Sequence, residues 1–209
     1  MTELLETYDL KGTQIGEEDR DKFYSEIKQE FVLKGKISKQ VKSIRLLLMN
    51  SDGRIYLQKR SKLKNENPGL YDKTIGGHVA KGQTWEVAVI KECAEELGFP
   101  AAVLTPPEFD QAVKVTDLSV VGLFKKIDYK SNFESVRAEK DGSKFIQPFI
   151  TSFFTGYYNG SIKFSDGESS GVEVFSLEEL KEEIKTNPSK FTEDLKYMIY
   201  NYEKFIKPV

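Results

Sequence analysis

Glu92, Glu95 and Glu96 stand at i, i+3 and i+4 in the segment GHVAKGQTWEVAVIKECAEELGF, residues 77–99. An α-helix brings such positions onto one face, where three carboxylates crowd and repel one another. A divalent cation relieves that repulsion. Mg²⁺ in particular takes hard oxygen ligands, keeps several waters and shares substrate phosphates. The competing reading is a solvated acidic face, the ordinary meaning of a charge run on a helix.

The element that must position these acids is a helix over about 84–97. Val87, Ile90, Ala94 and Leu97 read as its inward stripe at 3.6-residue spacing, with Cys93 at the edge. Thr84 reads as the N-cap and Gly98 as the left-handed residue after the last turn. Trp85, Ala88 and Val89 share the glutamate side. That side is therefore expected to be covered as well, which puts the acids in a cleft.

The segment resembles the Nudix box, G-x5-E-x7-R-E-U-x-E-E-x-G-U with U a bulky apolar residue. It matches at Gly77, Glu92, Glu95, Glu96, Gly98 and Phe99, and Cys93 is a mild departure at the first U. Two departures matter more: Gln83 stands where the family has Glu, and Lys91 where it has Arg. In the family these two brace the loop against the helix. A Gln83–Lys91 hydrogen bond is expected to keep the brace while giving up the bidentate ion pair, softening the support behind the metal ligands.

The resemblance implies a Mg²⁺-dependent hydrolase, with Mn²⁺ a substitute, that directs water to phosphorus in a nucleoside diphosphate derivative or a related small diphosphate. It implies Glu92 and Glu96 as chief metal ligands and Glu95 as a further ligand or base. The backbone carbonyl of Gly76 joins them. Glu168 in SDGESSGVEVFSLEEL is the match for a fourth acid, with Glu173 competing. Metal ions and a nearby carboxylate together neutralise phosphate charge and take the proton of the attacking water.

Upstream, LQKRSKLKNENPGLYDKTIGGHV resembles a narrower branch, the isopentenyl-diphosphate isomerases and their hydrolase relatives. By that resemblance Arg60 and Lys64 contact a diphosphate, a role suited to a planar fork and a mobile point charge. His78 matches one isomerase metal ligand and is expected to line the substrate pocket. The isomerase, however, uses a Cys where this chain has Gly76 and holds its metal with three His, and this chain has one His. Hydrolysis is therefore favoured over isomerisation. A catalytically weak nucleotide-binding module is the alternative that Gln83 and Lys91 keep open.

The rest of the chain supplies the frame. Its 209 residues suit one generous domain, and the formal net charge of −2 offers nucleic acid no general attraction. A lone Cys93 allows no intrachain disulfide and fits a reducing compartment. With no apolar run of membrane-spanning length and no leader pattern in MTELLETYDLKG, no membrane is expected and the cytoplasm is the expected address. Residues 1–40 read as an N-terminal extension, a hairpin near Lys11-Gly12 and then a helix over 17–33, that could act as the arm of a homodimer. Residues 41–185 read as the Nudix domain, and 186–209 as a C-terminal helix packed on it. Strands at SIRLLLM, RIYLQKR, 119–127, 148–158 and 161–164, flanked by helices, predict an α/β fold: the Nudix-type α/β/α sandwich with a mixed β-sheet. The stretch 128–144 reads as a mobile excursion over the pocket. Tyr71, Phe145, Phe149, Phe153 and Phe154 read as core, with base stacking as the other possibility.

Overall fold

The computed structural model describes residues 3–162 and 169–209. Its strands are β1 (Leu4–Asp9), β2 (Gln14–Asp19), β3 (Lys39–Met49), β4 (Ile55–Arg60), β5 (Tyr71–Asp72), β6 (Ile75–His78), β7 (Ala101–Leu104), β8 (Gly122–Ala138), β9 (Lys144–Tyr157) and β10 (Ser169–Phe175). The helices are α1 (Arg20–Lys34), α2 (Trp85–Glu92), α3 (Pro106–Ala112), α4 (Leu177–Thr186) and α5 (Glu193–Asn201).

All the strands join one mixed sheet, whose main path runs β10-β4-β3-β9-β8-β7. Strand β3 is parallel to β9 and β7 is parallel to β8, while the other pairings are antiparallel. Strand β3 is buried almost throughout because helices cover both of its faces. Ile44, Leu46 and Leu48 pack with Val89, Cys93 and Leu97 beneath α2. Leu47 and Met49 pack with Leu180, Leu195 and Met198 beneath α4 and α5. Val41 meets Phe23 and Ile27 of α1. The fold is the α/β/α sandwich with a mixed sheet that the strand and helix pattern predicted.

Two expectations need correction. Residues 128–144 are the far half of the β8–β9 hairpin, with Phe133 opposite Phe149 and Arg137 opposite Phe145. Phe133 and Ser135 are buried on either side of exposed Glu134, a period-two pattern hidden by the polar and charged composition. The first forty residues do form a hairpin and a helix, yet they are stitched into the sheet: Thr7 pairs with Val41 and Leu5 bridges Ala80. Leu5, Phe23 and Ile27 are fully buried. The strand read at 161–164 lies largely outside the described residues.

The five aromatic residues behave as core. Tyr71, Phe145, Phe149, Phe153 and Phe154 are all buried. No helix among the described residues is long and apolar enough to cross a membrane.

Candidate active site

Helix α2 starts where Thr84 caps it, accepting from the Val87 amide. Of its expected inward stripe only Leu97 is buried, and the rest faces out. Ala88, Val89, Cys93 and Leu97 are buried, whereas Val87 is 45% exposed and Ile90 40%, and Ala94 faces out with them. The glutamate side is thus the packed side, and the acids sit at its rim. After Glu92 the helix widens into a π turn over Cys93–Leu97, closed by Gly98 in the left-handed conformation at φ 76°.

That extra residue in the turn sorts the three glutamates. It keeps the i+4 position over Glu92 and rotates i+3 away, so Glu96 and Glu92 stay together while Glu95 does not. Glu96 lines the large cavity described below. Glu95 has a side chain 62% exposed, 3.7 Å from the Lys91 ammonium. The single carboxylate face expected for all three is corrected to a pair. Burial pushes the Glu92 carboxyl above the usual carboxylate range, and a hydrogen bond with Glu96 opposes the rise. Two carboxyls so placed share a proton, or exchange it for a cation.

Strand β6 lies against β3, with Gly77 opposite Ile44 and Gly76 opposite Arg45. Successive residues of a strand face opposite sides. A Cβ at Gly77 would run into the Glu92 carboxylate, and one at Gly76 into the Lys73 side chain. The Gly-Gly step is therefore thin enough for acids to approach one face and an amine the other. We expect Gly77→Ala to fold with little loss of stability, since this glycine needs no left-handed backbone, yet to displace Glu92. Displacement on the order of 1 Å costs roughly 10²-fold in rate. Turnover near the parent level, measured beside a melting curve, would show that Glu92 is not held where Gly77 places it.

The cavity beside β6 has a volume of about 440 Å³ and is lined by Gly76, Gly77, His78 and Glu96 together with Arg60 and Lys64. Both proposed phosphate contacts therefore face it, although Arg60 is also committed to structure. Its Nη1 is 3.3 Å from Asp72 and its Nε and Nη2 donate to the Glu66 carbonyl. His78 lines the wall with Nε2 2.6 Å from the Tyr24 hydroxyl, which also accepts from Gln147 at 3.3 Å. Either group can donate in the Tyr24–His78 bond, according to the imidazole tautomer. Burial, with Arg20, Arg137 and Arg45 nearby, holds the His78 pKa down at about 3, so the imidazole is neutral at pH 7.

Sequence reasoning missed much of the lining. Arg20, Tyr24 and Lys28 of α1, Arg45 of β3, Lys73 and Arg137 of β8 all face the same cavity. Beneath it Asp194 accepts from Arg45 Nε at 2.9 Å and from Ser135 at 2.7 Å, and lies 3.4 Å from Lys73. Asp72 holds Lys73 at 3.1 Å and Thr192 at 2.7 Å. Burial alone would raise both carboxyls, but Arg45, Lys73 and Arg137 hold Asp194 well below the usual range, and Lys73 and Arg60 do the same for Asp72. One signal was legible: a charged Arg45 inside SIRLLLM, since a buried charge demands a partner.

The Gln83–Lys91 brace is not the arrangement found. Lys91 lies 4.0 Å from Glu3 and 3.7 Å from Glu95, because a carboxylate outbids a neutral amide for an ammonium. Support for the loop comes from the N-terminal hairpin instead. The Lys81 amide donates to Leu4 at 2.8 Å, the Gly82 amide to Glu6 at 3.3 Å, and Lys81 pairs with Glu17 at 2.5 Å. Glu168 lies outside the described residues. Glu173 bonds to Tyr71 and lies 4.0 Å from Lys59, on an edge strand away from the cavity.

The donor set fits a hard divalent cation. Glu92 and Glu96 offer carboxylate oxygens and Gly76 lies beside them with a backbone carbonyl. Among the described residues no three His, Cys, Asp or Glu side chains converge. The remaining positions would go to water and substrate phosphate, as Mg²⁺ prefers.

A mixed sheet between helical layers, with a half-buried acidic pair and a cation-lined cavity meeting at a Gly-Gly strand, defines this α/β domain. The chain belongs to the Nudix family: the NUDIX domain model matches residues 39–195. Among curated relatives, the isopentenyl-diphosphate Delta-isomerase of Salmonella heidelberg (strain SL476) is 36% identical over 70 residues, 34% of this chain and 39% of the isomerase. Among solved structures, DR0079 from Deinococcus radiodurans superposes with a TM-score of 0.62 at 17% identity, covering 95% of this chain and 98% of its own. The bifunctional NMN adenylyltransferase/ADP ribose pyrophosphatase of Francisella tularensis, complexed with AMP and a Mn ion, gives 0.52 at 18% identity, covering 89% of this chain and 47% of its own. At these identities the structural likeness concerns the fold.

Proposed function

We propose that this protein is a Mg²⁺-dependent Nudix pyrophosphohydrolase that cleaves the diphosphate of a small phosphorylated substrate, with Mn²⁺ as a substitute ion. The observation that carries the reading is the pairing of Glu92, seated against Gly77, with Glu96, which lines one cavity with Arg60, Lys64 and further cations. Glu92, Glu96 and the Gly76 carbonyl would hold the ion, with Glu168 a further proposed contributor. When bound, the ion neutralises charge on the phosphate oxygens and lowers the pKa of a bound water. Arg60 and Lys64 orient the diphosphate. The new bond forms between the water oxygen and one phosphorus, the bridging P–O bond breaks, and a carboxylate of the acidic pair takes the water proton.

The isomerase relatives support the diphosphate part of this reading, while Gly76 and the single His78 separate the chain from their chemistry. The mixed Arg60–Lys64 lining suits a free small molecule rather than a nucleic-acid backbone or a membrane surface. A homodimer built through the N-terminal hairpin is a secondary proposal, checked by solution mass.

The test is a panel of nucleoside diphosphates, nucleotide sugars, dinucleoside polyphosphates, coenzymes and small non-nucleotide diphosphates, incubated with Mg²⁺, Mn²⁺ or EDTA. Cleavage in both metals and none in EDTA is expected. A compound that raises the melting temperature in Mg²⁺ yet survives long incubation would instead support a nucleotide-binding module.

A further inference from the structure

Part of the cavity lining is built around guanidinium groups that the fold leaves incompletely matched. The Arg45 side chain is 2% exposed and projects from β3. Its Nε is bound by Asp194 and its Nη1 by Ser43 at 2.6 Å and Thr151 at 3.1 Å, while Nη2 is buried with no partner among the described residues. The same holds for Nε of Arg137, whose nearest carboxylate, Glu66, stands 3.9 Å away. Phe149 lies between the two groups, 4.8 Å from Arg45 and 5.4 Å from Arg137. Buried donors of charged groups are costly to leave unmet.

The surrounding charges do not close the account. Arg45, Lys73, Arg60 and Arg137 face Asp194, Asp72 and Glu66, and Glu66 is also claimed by Lys28 at 3.2 Å. Lys28 brings Glu139 with it at 2.8 Å, so the cluster keeps one cation more than it has carboxylates. A nucleobase, by contrast, finds little to stack on. Of the aromatic rings in the lining, Phe149 is 1% exposed and covered by the two guanidinium groups, and Tyr24 is engaged with His78 and Gln147.

We propose that Arg45 and Arg137, with Lys73 beside them, form a second anion site that takes a phosphoryl group of the substrate beyond the two of the scissile diphosphate. The inference rests on the pyrophosphohydrolase reading and deepens it. The substrate class becomes a compact polyanion carrying at least three phosphoryl groups, rather than a nucleoside diphosphate recognised through its base. Arg60 and Lys64 serve the scissile diphosphate, and the guanidinium pair reads the additional charge.

The test is a chain-length series measured without metal, so that it stands apart from turnover. Titration calorimetry in EDTA would compare inorganic phosphate, pyrophosphate, tripolyphosphate and ADP. Tripolyphosphate is expected to bind at least about tenfold more tightly than pyrophosphate and ADP, the return from one further charge-assisted contact. Arg137→Gln should erase that preference while keeping pyrophosphate binding, whereas Arg60→Gln should weaken both ligands alike. Arg45→Lys, which keeps the charge but not the fork, gives a second reading of the same ratio. Equal affinities for pyrophosphate and tripolyphosphate, tighter binding of ADP, or a preference that survives Arg137→Gln would each overturn the proposal. Loss of cleavage on the panel with the chain-length preference intact would instead sink the hydrolase reading and leave the anion site standing.

Discussion

Glu96→Gln should leave the fold intact and reduce metal-dependent cleavage by roughly 10²–10³-fold, the several kcal/mol that a bound ion contributes to the transition state. The side chain is only half-buried and lies within reach of Glu92, so replacing one of two mutually repelling carboxyls with an isosteric amide removes strain from the apo protein. A melting temperature equal to the parent's or slightly higher is the expected companion result, the trade of stability against function at a charged site. Glu95→Gln should cost far less, because that side chain points to solvent beside Lys91. Parallel rate and melting measurements on the two variants check both statements. Equal losses would return Glu95 to the metal site, and full turnover in Glu96→Gln would remove the acidic pair from the chemistry.

Asp194→Asn should be the most destabilising single change under the cavity, at about 3–5 kcal/mol near neutral pH, because it strands buried charges rather than removing a balanced pair. Asp194 holds Arg45 and Ser135 directly and shares Lys73 with Asp72. The sign of the pH dependence follows from its depressed folded-state pKa. A carboxyl lowered from its usual 3.8 contributes fully above that value and loses the contribution as pH falls below it toward the folded-state pKa. The stability gap between parent and variant should therefore be widest near pH 7 and shrink below about pH 4. Urea unfolding at neutral and acid pH measures the gap directly. A variant within 1 kcal/mol of the parent, or a gap independent of pH, would contradict the assigned role.

The fold was legible because both of its periods are strong. The apolar run SIRLLLM can only be a strand covered on both faces, and the caps Thr84 and Gly98 bracket the box helix where the residues say they should. The face of that helix was misread because Val87 and Ile90 are as apolar as the buried Val89, and composition alone cannot say which side meets the sheet. The π turn at Cys93–Leu97 leaves no mark in a pattern counted at 3.6 residues per turn, and it is what divides Glu95 from Glu96. The cavity floor was illegible for a different reason. Arg45, Lys73, Arg137 and Asp194 lie far apart in sequence, and only β3, β8 and α5 packing together brings them to one place. Among them, Arg45 alone advertised itself, as a charge in the middle of a buried strand.

Water, directed by the acidic pair, is expected to attack phosphorus in a diphosphate. Single-turnover cleavage of the best substrate from the panel, run in ¹⁸O-labelled water with Mg²⁺, tests it most directly by phosphorus NMR of the products. One ¹⁸O bonded to phosphorus in a single product, absent in EDTA and in Glu96→Gln, is the predicted result. Label found on carbon, or a ligand bound tightly and recovered uncleaved, would contradict it.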